Sequence, residues 1–208
     1  MPDQDMQKFL DGYRKFRSGY YRENKALIDD LMNRGQSPST MMIACSDSRI
    51  DPTLKFGVEP GDMFVVRNVA NLVPPFSPDT QAHGTSAALE FAVRVLKVKH
   101  LIVMGHAKCG GIKALVDHDG SVKGDFVTSW MQIAAPAREK ALAAHLPKTE
   151  TYHLCEHEGV KLSLQNLMTF PWVKTAVEAG SLELHGWYFD LSDATLSIVD
   201  KNGTFAQA

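Results

Sequence analysis

Apolar and polar positions follow two different rhythms along this chain. Residues 40–44, 63–66 and 101–104 are apolar almost without interruption, and each run stops at polar or glycine residues: Cys45, Arg67-Asn68 and Gly105-His106. Such short continuous runs predict strands buried on both faces, the habit of a parallel sheet. Between the second and third run, Ala88, Leu89, Phe91, Ala92, Val95 and Leu96 form a helical stripe within residues 85–98, so the segment predicts a β-α-β unit. Helical spacing also marks residues 4–33 through Phe9, Leu10, Tyr13, Phe16, Tyr20, Leu27, Ile28, Leu31 and Met32, with Gly12 and Gly19 as expected breaks. Further helices are expected at 112–116, 126–146 with a break at Pro136, 153–168 and 171–179. Residues 182–191 and 195–199 read as a strand hairpin turning over 192–194.

The fold class that follows is α/β, a mostly parallel central sheet flanked by helices, with a helical N-terminal arm (1–35) and a C-terminal strand hairpin. No Pro/Gly/Ser linker divides the chain, so residues 1–208 are expected to form one domain, its arm packing on that domain or on a neighbouring subunit. In open α/β sheets the ligand crevice lies at the carboxyl ends of the strands. That directs attention to the residues that terminate the first and third runs.

Composition narrows the function classes. The 208 residues are 44% hydrophobic and 22% charged, with a formal net charge of -2. No basic run speaks for nucleic acid, and no apolar stretch approaches the ~18 residues of a membrane span. The polar first ten residues do not read as a signal peptide. Three cysteines, an odd number, argue against a disulfide framework and suit a reducing cytoplasm. Cys155 reads as a small residue tucked into a helix.

Cys45, and His106 with Cys109 in Gly-His-Ala-Lys-Cys-Gly-Gly, bring two thiols and an imidazole to the ends of two predicted strands. That donor set suits one zinc ion per chain, and three ligands leave a fourth position for water, as in catalytic sites. Asp47 and Arg49 follow Cys45 at two-residue steps; in an extended segment all three share a face. An Arg guanidinium can hold a carboxylate by two prongs, and that carboxylate can accept the proton of a zinc-bound hydroxide and aim its lone pair. The remaining histidines, 83, 100, 118, 145, 153, 157 and 185, supply no assignable proton relay. His153 and His157 share a helix face, but Cys155 points elsewhere, so the trio is not assigned a metal.

Cys45-Ser-Asp-Ser-Arg49, then Arg67-Asn-Val-Ala-Asn71, then Gly105-His-x-x-Cys-Gly-Gly111 resemble the β-class carbonic anhydrases, in motif order and spacing, over about residues 36–200. The resemblance implies zinc on Cys45, His106 and Cys109, a catalytic dyad of Asp47 and Arg49, and reversible hydration of CO2 to bicarbonate. It further implies a dimer or tetramer with active sites near the subunit interface. Gln36, Phe64 and Val69 match the substrate pocket of the plant-like subtype, where Phe91 replaces its usual Tyr, and Gly110 is expected to offer an amide to the substrate. The other subtype builds a non-catalytic bicarbonate pocket on Trp, Arg and Tyr; here Met42 and Phe189 stand at the Trp and Tyr positions and only Arg67 is kept. Two competing expectations use the same ligands: hydrolysis of CS2 or COS, and a non-enzymatic zinc protein.

Overall fold

The computed structural model describes residues 3–79, 81–117 and 124–208. They form two compact units, Met1–Ser37 and Pro38–Ala208. The first contains α1 (Gln4–Ser18), α2 (Tyr20–Glu23) and α3 (Lys25–Arg34). Asp3 caps α1 by accepting the Met6 amide at 2.9 Å, satisfying one of the unpaired donors of the first turn. Gly19 ends α1 as expected. Gly12 does not break it, because an interior glycine costs only about 1 kcal/mol against alanine, less than a long helix absorbs. Gly35, at φ 79°, closes α3 in the conformation glycine adopts without strain.

The second unit runs β1 (Thr40–Cys45), α4 (Pro52–Phe56), β2 (Met63–Asn68), α5 (Gly84–Glu90), β3 (His100–His106), α6 (Gly110–Val116), α7 (Val127–Met131), α8 (Ala135–Ala143), α9 (Lys148–Leu167), α10 (Pro171–Glu178), β4 (Glu183–Phe189), β5 (Leu196–Val199) and β6 (Phe205–Gln207). The strands form one sheet in the order β2-β1-β3-β4-β5-β6. The first four are parallel, and β5 and β6 are antiparallel to their neighbours.

Alternate residues of the central strands enter different cores. Met41, Ile43, Leu101 and Val103 pack into one apolar cluster with Val160, Leu167 and Phe170. Met42, Ala44, Ile102 and Met104 pack into another with Ile50 and Phe189. This two-residue period with both faces covered is why the runs read as continuous rather than alternating. Each fully buried Leu, Ile or Met side chain contributes roughly 1.5–3 kcal/mol through removal from water.

Three details differ from the sequence pattern. The C-terminal strands are not simply a hairpin: β4 pairs parallel with β3 along its whole length, and only Trp187, Tyr188 and Phe189 also face β5. The break within 126–146 falls at the 3-10 turn Gln132–Ala134, before Pro136. Pro136 instead lies in the first turn of α8, where a missing amide costs nothing. Finally, α5 continues into a wider π-type stretch, Phe91–Leu96, and ends at Lys97 with φ 55°.

Candidate metal centre

β1 and β3 are adjacent, and their last paired residues are Ala44 and Met104. Cys45 and His106 therefore lie one and two residues beyond that pair, at the same edge of the sheet. A tight turn containing Lys108 at φ 58° then returns Cys109 to them as the residue capping α6. The Sγ atoms of Cys45 and Cys109 and a ring nitrogen of His106 all lie within 4.8 Å of one another, and all three residues are buried.

The surroundings prepare these atoms for a cation. The Asp47 amide donates to Cys45 Sγ at 3.4 Å, and the Ala70 amide also favours the thiolate. The Gly111 and Ile112 amides do the same for Cys109. Hydrogen bonding from Cys109 is the main influence holding the Cys45 thiol well below its ordinary pKa; the same sharing raises Cys109. Two thiols this close hold one proton between them unless a cation takes its place. His106 Nδ1 lies 2.9 Å from the Ala107 carbonyl, so the proton belongs on Nδ1 and the lone pair on Nε2. That buried Nε2 has no hydrogen-bond partner among the described residues. A lone pair so exposed to nothing is costly unless it binds something. Two sulfurs and this nitrogen fit zinc, the cofactor of this site.

The Asp47–Arg49 pair forms as expected, but through a turn rather than an extended face: the Ile50 amide donates back to the Asp47 carbonyl at 2.9 Å. Arg49 Nε and its backbone amide both donate to Asp47 Oδ1 at 2.9 Å, and Nη2 donates to Oδ2 at 2.6 Å. Arg49 hydrogen bonding is the main reason the Asp47 carboxyl is held far below the usual carboxylate range. The same Nη2 donates to the Lys108 carbonyl at 3.1 Å, joining the loops that follow β1 and β3.

Arg67 was expected only as the remnant of an anion pocket. Its guanidinium donates to the Cys45 carbonyl at 2.9 Å and to the Asp47 carbonyl at 2.7 Å, with Asp51 Oδ2 3.4 Å away. It therefore shapes the Cys45–Asp47 loop. Asn68 does the same for the turn after β2. Its Nδ2 donates to the Leu72 carbonyl at 2.8 Å and its Oδ1 accepts the Leu72 amide at 2.9 Å, allowing Ala70 and Asn71 their left-handed conformations. Val69 is fixed by Trp130, whose indole donates to its carbonyl at 2.8 Å. A Cβ on Gly111 would stand 3.0 Å from Val69 Cγ1, so glycine permits this approach.

Val69 and Gly110 thus belong to the loops around the metal ligands. Phe64 and Phe91 do not. Their rings lie 5.8 Å apart, but Phe64 pairs with Met41 while Cys45 pairs with Asn68. Four residues along a strand separate the two levels by about 13 Å. Gln36 belongs to the first compact unit. His118 lies outside the described residues. His153 and His157 share a helix face with rings 4.1 Å apart, while Cys155 is buried in a different cluster, where burial pushes its thiol up to about 12.

Glu156 is a participant that sequence reasoning missed. It is buried on α9, accepts the Cys109 amide at 2.9 Å on Oε1 and accepts the Tyr188 hydroxyl at 2.7 Å on Oε2. The available signal was its setting: an acidic residue one step from Cys155 and four from Val160, on the apolar side of a long helix.

Comparison with known proteins agrees with this arrangement. The carbonic anhydrase family model matches residues 40–196. The chain is 41% identical over 163 residues to β carbonic anhydrase 5, chloroplastic, of Arabidopsis thaliana; the match covers 77% of this chain and 54% of that protein. The chain thus spans about half the length of that curated relative. Among solved structures, the β-carbonic anhydrase CcaA superposes with a TM-score of 0.92 at 32% identity, covering 98% of this chain and 92% of that one. One of two tetrameric β-carbonic anhydrases of Sordaria macrospora superposes with a TM-score of 0.81 at 29% identity, covering 99% of this chain and 97% of that one.

Proposed function

Because the chain belongs to the β-class carbonic anhydrases, we propose that it catalyses the reversible hydration of CO2 to bicarbonate and a proton. Zinc held by Cys45, His106 and Cys109 supplies the Lewis acidity that makes water a nucleophile near neutral pH.

The protein's own contribution is carried by Asp47. A carboxylate oxygen offers two lone pairs. Oδ1 spends both on Arg49, through its amide and Nε, whereas Oδ2 accepts a single bond from Nη2. The spare acceptor on Oδ2 is where the attacking water donates its O–H, and that bond fixes the direction in which its lone pair faces CO2. Arg49 holds that carboxylate in place through three hydrogen bonds and lowers a pKa that is already well below neutrality. Val69 supplies an apolar wall suited to a small apolar substrate, and the Gly110 amide a donor to its oxygen. Similarity to the Arabidopsis thaliana β carbonic anhydrase supports the plant-like subtype.

We further infer self-association. No residue of α1 is buried, and Phe9, Tyr13 and Phe16 are exposed, a face that a dimer or tetramer covers. Exposed Phe91, with Phe64, then serves the pocket of a neighbouring copy, as does Gln36. No described helix is long and apolar enough to cross a membrane; thiolate ligands and the free Cys155 favour a reducing, cytoplasmic setting.

The observation that carries this reading is the buried His106 Nε2, without a hydrogen-bond partner among the described residues, close to two thiols and beside an Arg49-held carboxylate. Stopped-flow CO2 hydration on protein of known zinc content tests it. Catalysis proportional to zinc content is expected. Hydrolysis of COS or CS2 without CO2 hydration, or no turnover by the zinc-loaded protein, overturns it.

A further inference from the structure

The first residues of β3 and β4 lie at the end of the sheet away from Cys45 and His106. There, His100 pairs in register with Glu183, and His185 is two residues further along β4. Three atoms of these side chains converge. His100 Nδ1 and His185 Nε2 are 3.2 Å apart, and Glu183 Oε2 lies 3.5 Å from the first and 3.8 Å from the second.

As hydrogen bonds these distances make an incomplete set. One imidazole can donate to the other at 3.2 Å, but the carboxylate distances are too long for good bonds to either ring. As the edges of a ligand triangle they are coherent. The nearest point equidistant from the three atoms, in their plane, lies about 2.0 Å from each, so a cation at or just above that plane meets all three at Zn–N and Zn–O bond lengths. Two neutral imidazoles and one carboxylate also form a known three-ligand donor set for this ion, with a fourth position open to water.

We propose that His100, Glu183 and His185 form a second metal site, for a borderline divalent cation of the zinc class, separate from the Cys45–His106–Cys109 centre. The three side chains are partly exposed, and a cavity of about 510 Å³ lined by His100 and Glu183 gives access from solvent. His100 opens β3 and His106 closes it; six strand steps place the two sites roughly 20 Å apart. A cation here cross-links the starts of β3 and β4 and, binding only the folded chain, raises its stability with metal concentration. Copper and nickel compete for the same donors, since imidazole suits both.

The test is metal stoichiometry. Protein already carrying its first zinc is dialysed to equilibrium against Zn2+ at about 50 µM, and bound zinc per chain is measured by atomic absorption, alongside Tm with and without added Zn2+. The wild type is expected to hold about two zinc ions per chain and to gain Tm with added metal, whereas His185→Ala and Glu183→Gln hold about one and gain none. Glu183→Gln keeps the side chain's shape at an exposed position, so it carries the test if His185→Ala folds poorly. One zinc per wild-type chain, or a second zinc retained by both variants, overturns the proposal.

Discussion

Glu156 and Cys109 are joined by a bond from backbone to buried carboxylate: Oε1 accepts the Cys109 amide at 2.9 Å. Tyr188, on β4, donates to the other oxygen at 2.7 Å. One side chain thus ties α9, β4 and the metal loop together. Burial raises the Glu156 pKa, and the two hydrogen bonds oppose that rise.

Removal of this carboxylate is expected to cost more than one hydrogen bond. Glu156→Ala strands two buried donors, the Cys109 amide and the Tyr188 hydroxyl, at about 1–3 kcal/mol each. Glu156→Gln retains an acceptor for the amide and re-pairs with Tyr188, so it should lose less than about half as much. Urea unfolding combined with zinc content checks this: weakened zinc retention is expected in the alanine variant only. An alanine variant as stable as the wild type, with full zinc, would show that the tie carries no weight.

Asp47 and Arg49 are expected to act on rate rather than on folding. Asp47→Asn should fold and keep zinc, yet lose at least about tenfold in kcat/KM, or ~1.4 kcal/mol of barrier. Arg49→Lys retains charge but not the two-pronged grip on Oδ1 and Oδ2, and should lose activity as well. The pH response separates orientation from ionisation. Arg49 lowers the Asp47 pKa, so its loss lets that pKa climb back toward the ordinary carboxylate value, still well below neutrality. Raising the pH should therefore not rescue Arg49→Lys; full rescue at high pH would mean that Arg49 merely keeps Asp47 charged.

The strands and the ligands were legible in the sequence for one physical reason. Strands buried on both faces must be apolar throughout, so the residues that end each apolar run stand out, and Cys45 and His106 stand at such ends while still buried. Glu156 and Arg67 were not legible in the same way. Their roles consist of bonds to backbone groups 47 and 22 residues away, respectively, and no local pattern encodes those partners. The parallel pairing of β4 with β3 was hidden because hairpin signals report only on neighbours in sequence. The Asp47–Arg49 pairing was read correctly from the wrong local geometry, since a turn and an extended face both bring positions two apart together.

His157 should make stability depend on pH. Its Nε2 is buried without a partner among the described residues, its ring stacks on Phe205 at 4.0 Å, and burial pushes its pKa down to about 4. His153 and Lys161 add to that fall, and Glu158 opposes it. The unfolded chain binds the proton at the ordinary histidine pKa, so between that value and about 4 the unfolded state holds more protons. The contribution is complete above the unfolded pKa and is lost as pH falls through the window, about 1–2 kcal/mol after allowance for solvent screening. His157→Phe keeps the ring contacts and removes the titration. Its stability relative to wild type, from urea midpoints at about pH 7 and pH 5, should improve at the lower pH; a constant difference would show that His157 is not the group involved.

Bicarbonate should not act as an inhibitor at a separate site. Such a pocket needs donors to offset the desolvation of a buried anion. Met42 is fully buried and Phe189 nearly so, within one apolar cluster, and Lys55 lies over the Phe189 ring at 5.2 Å. Arg67, the one cation kept from the other subtype's pocket, already donates to the Cys45 and Asp47 carbonyls and faces Asp51. An anion captured by Arg67 would have to break the loop that presents Cys45. The expected kcat/KM profile from about pH 6.5 to 9 therefore follows one main ionisation, with added bicarbonate acting only as product. Arg67→Ala should weaken zinc retention, because the Cys45–Asp47 loop loses two of its supports. Steep cooperative loss of activity below about pH 8 that bicarbonate deepens, and that Arg67→Ala abolishes while keeping full zinc, would instead assign Arg67 to an inhibitory anion site.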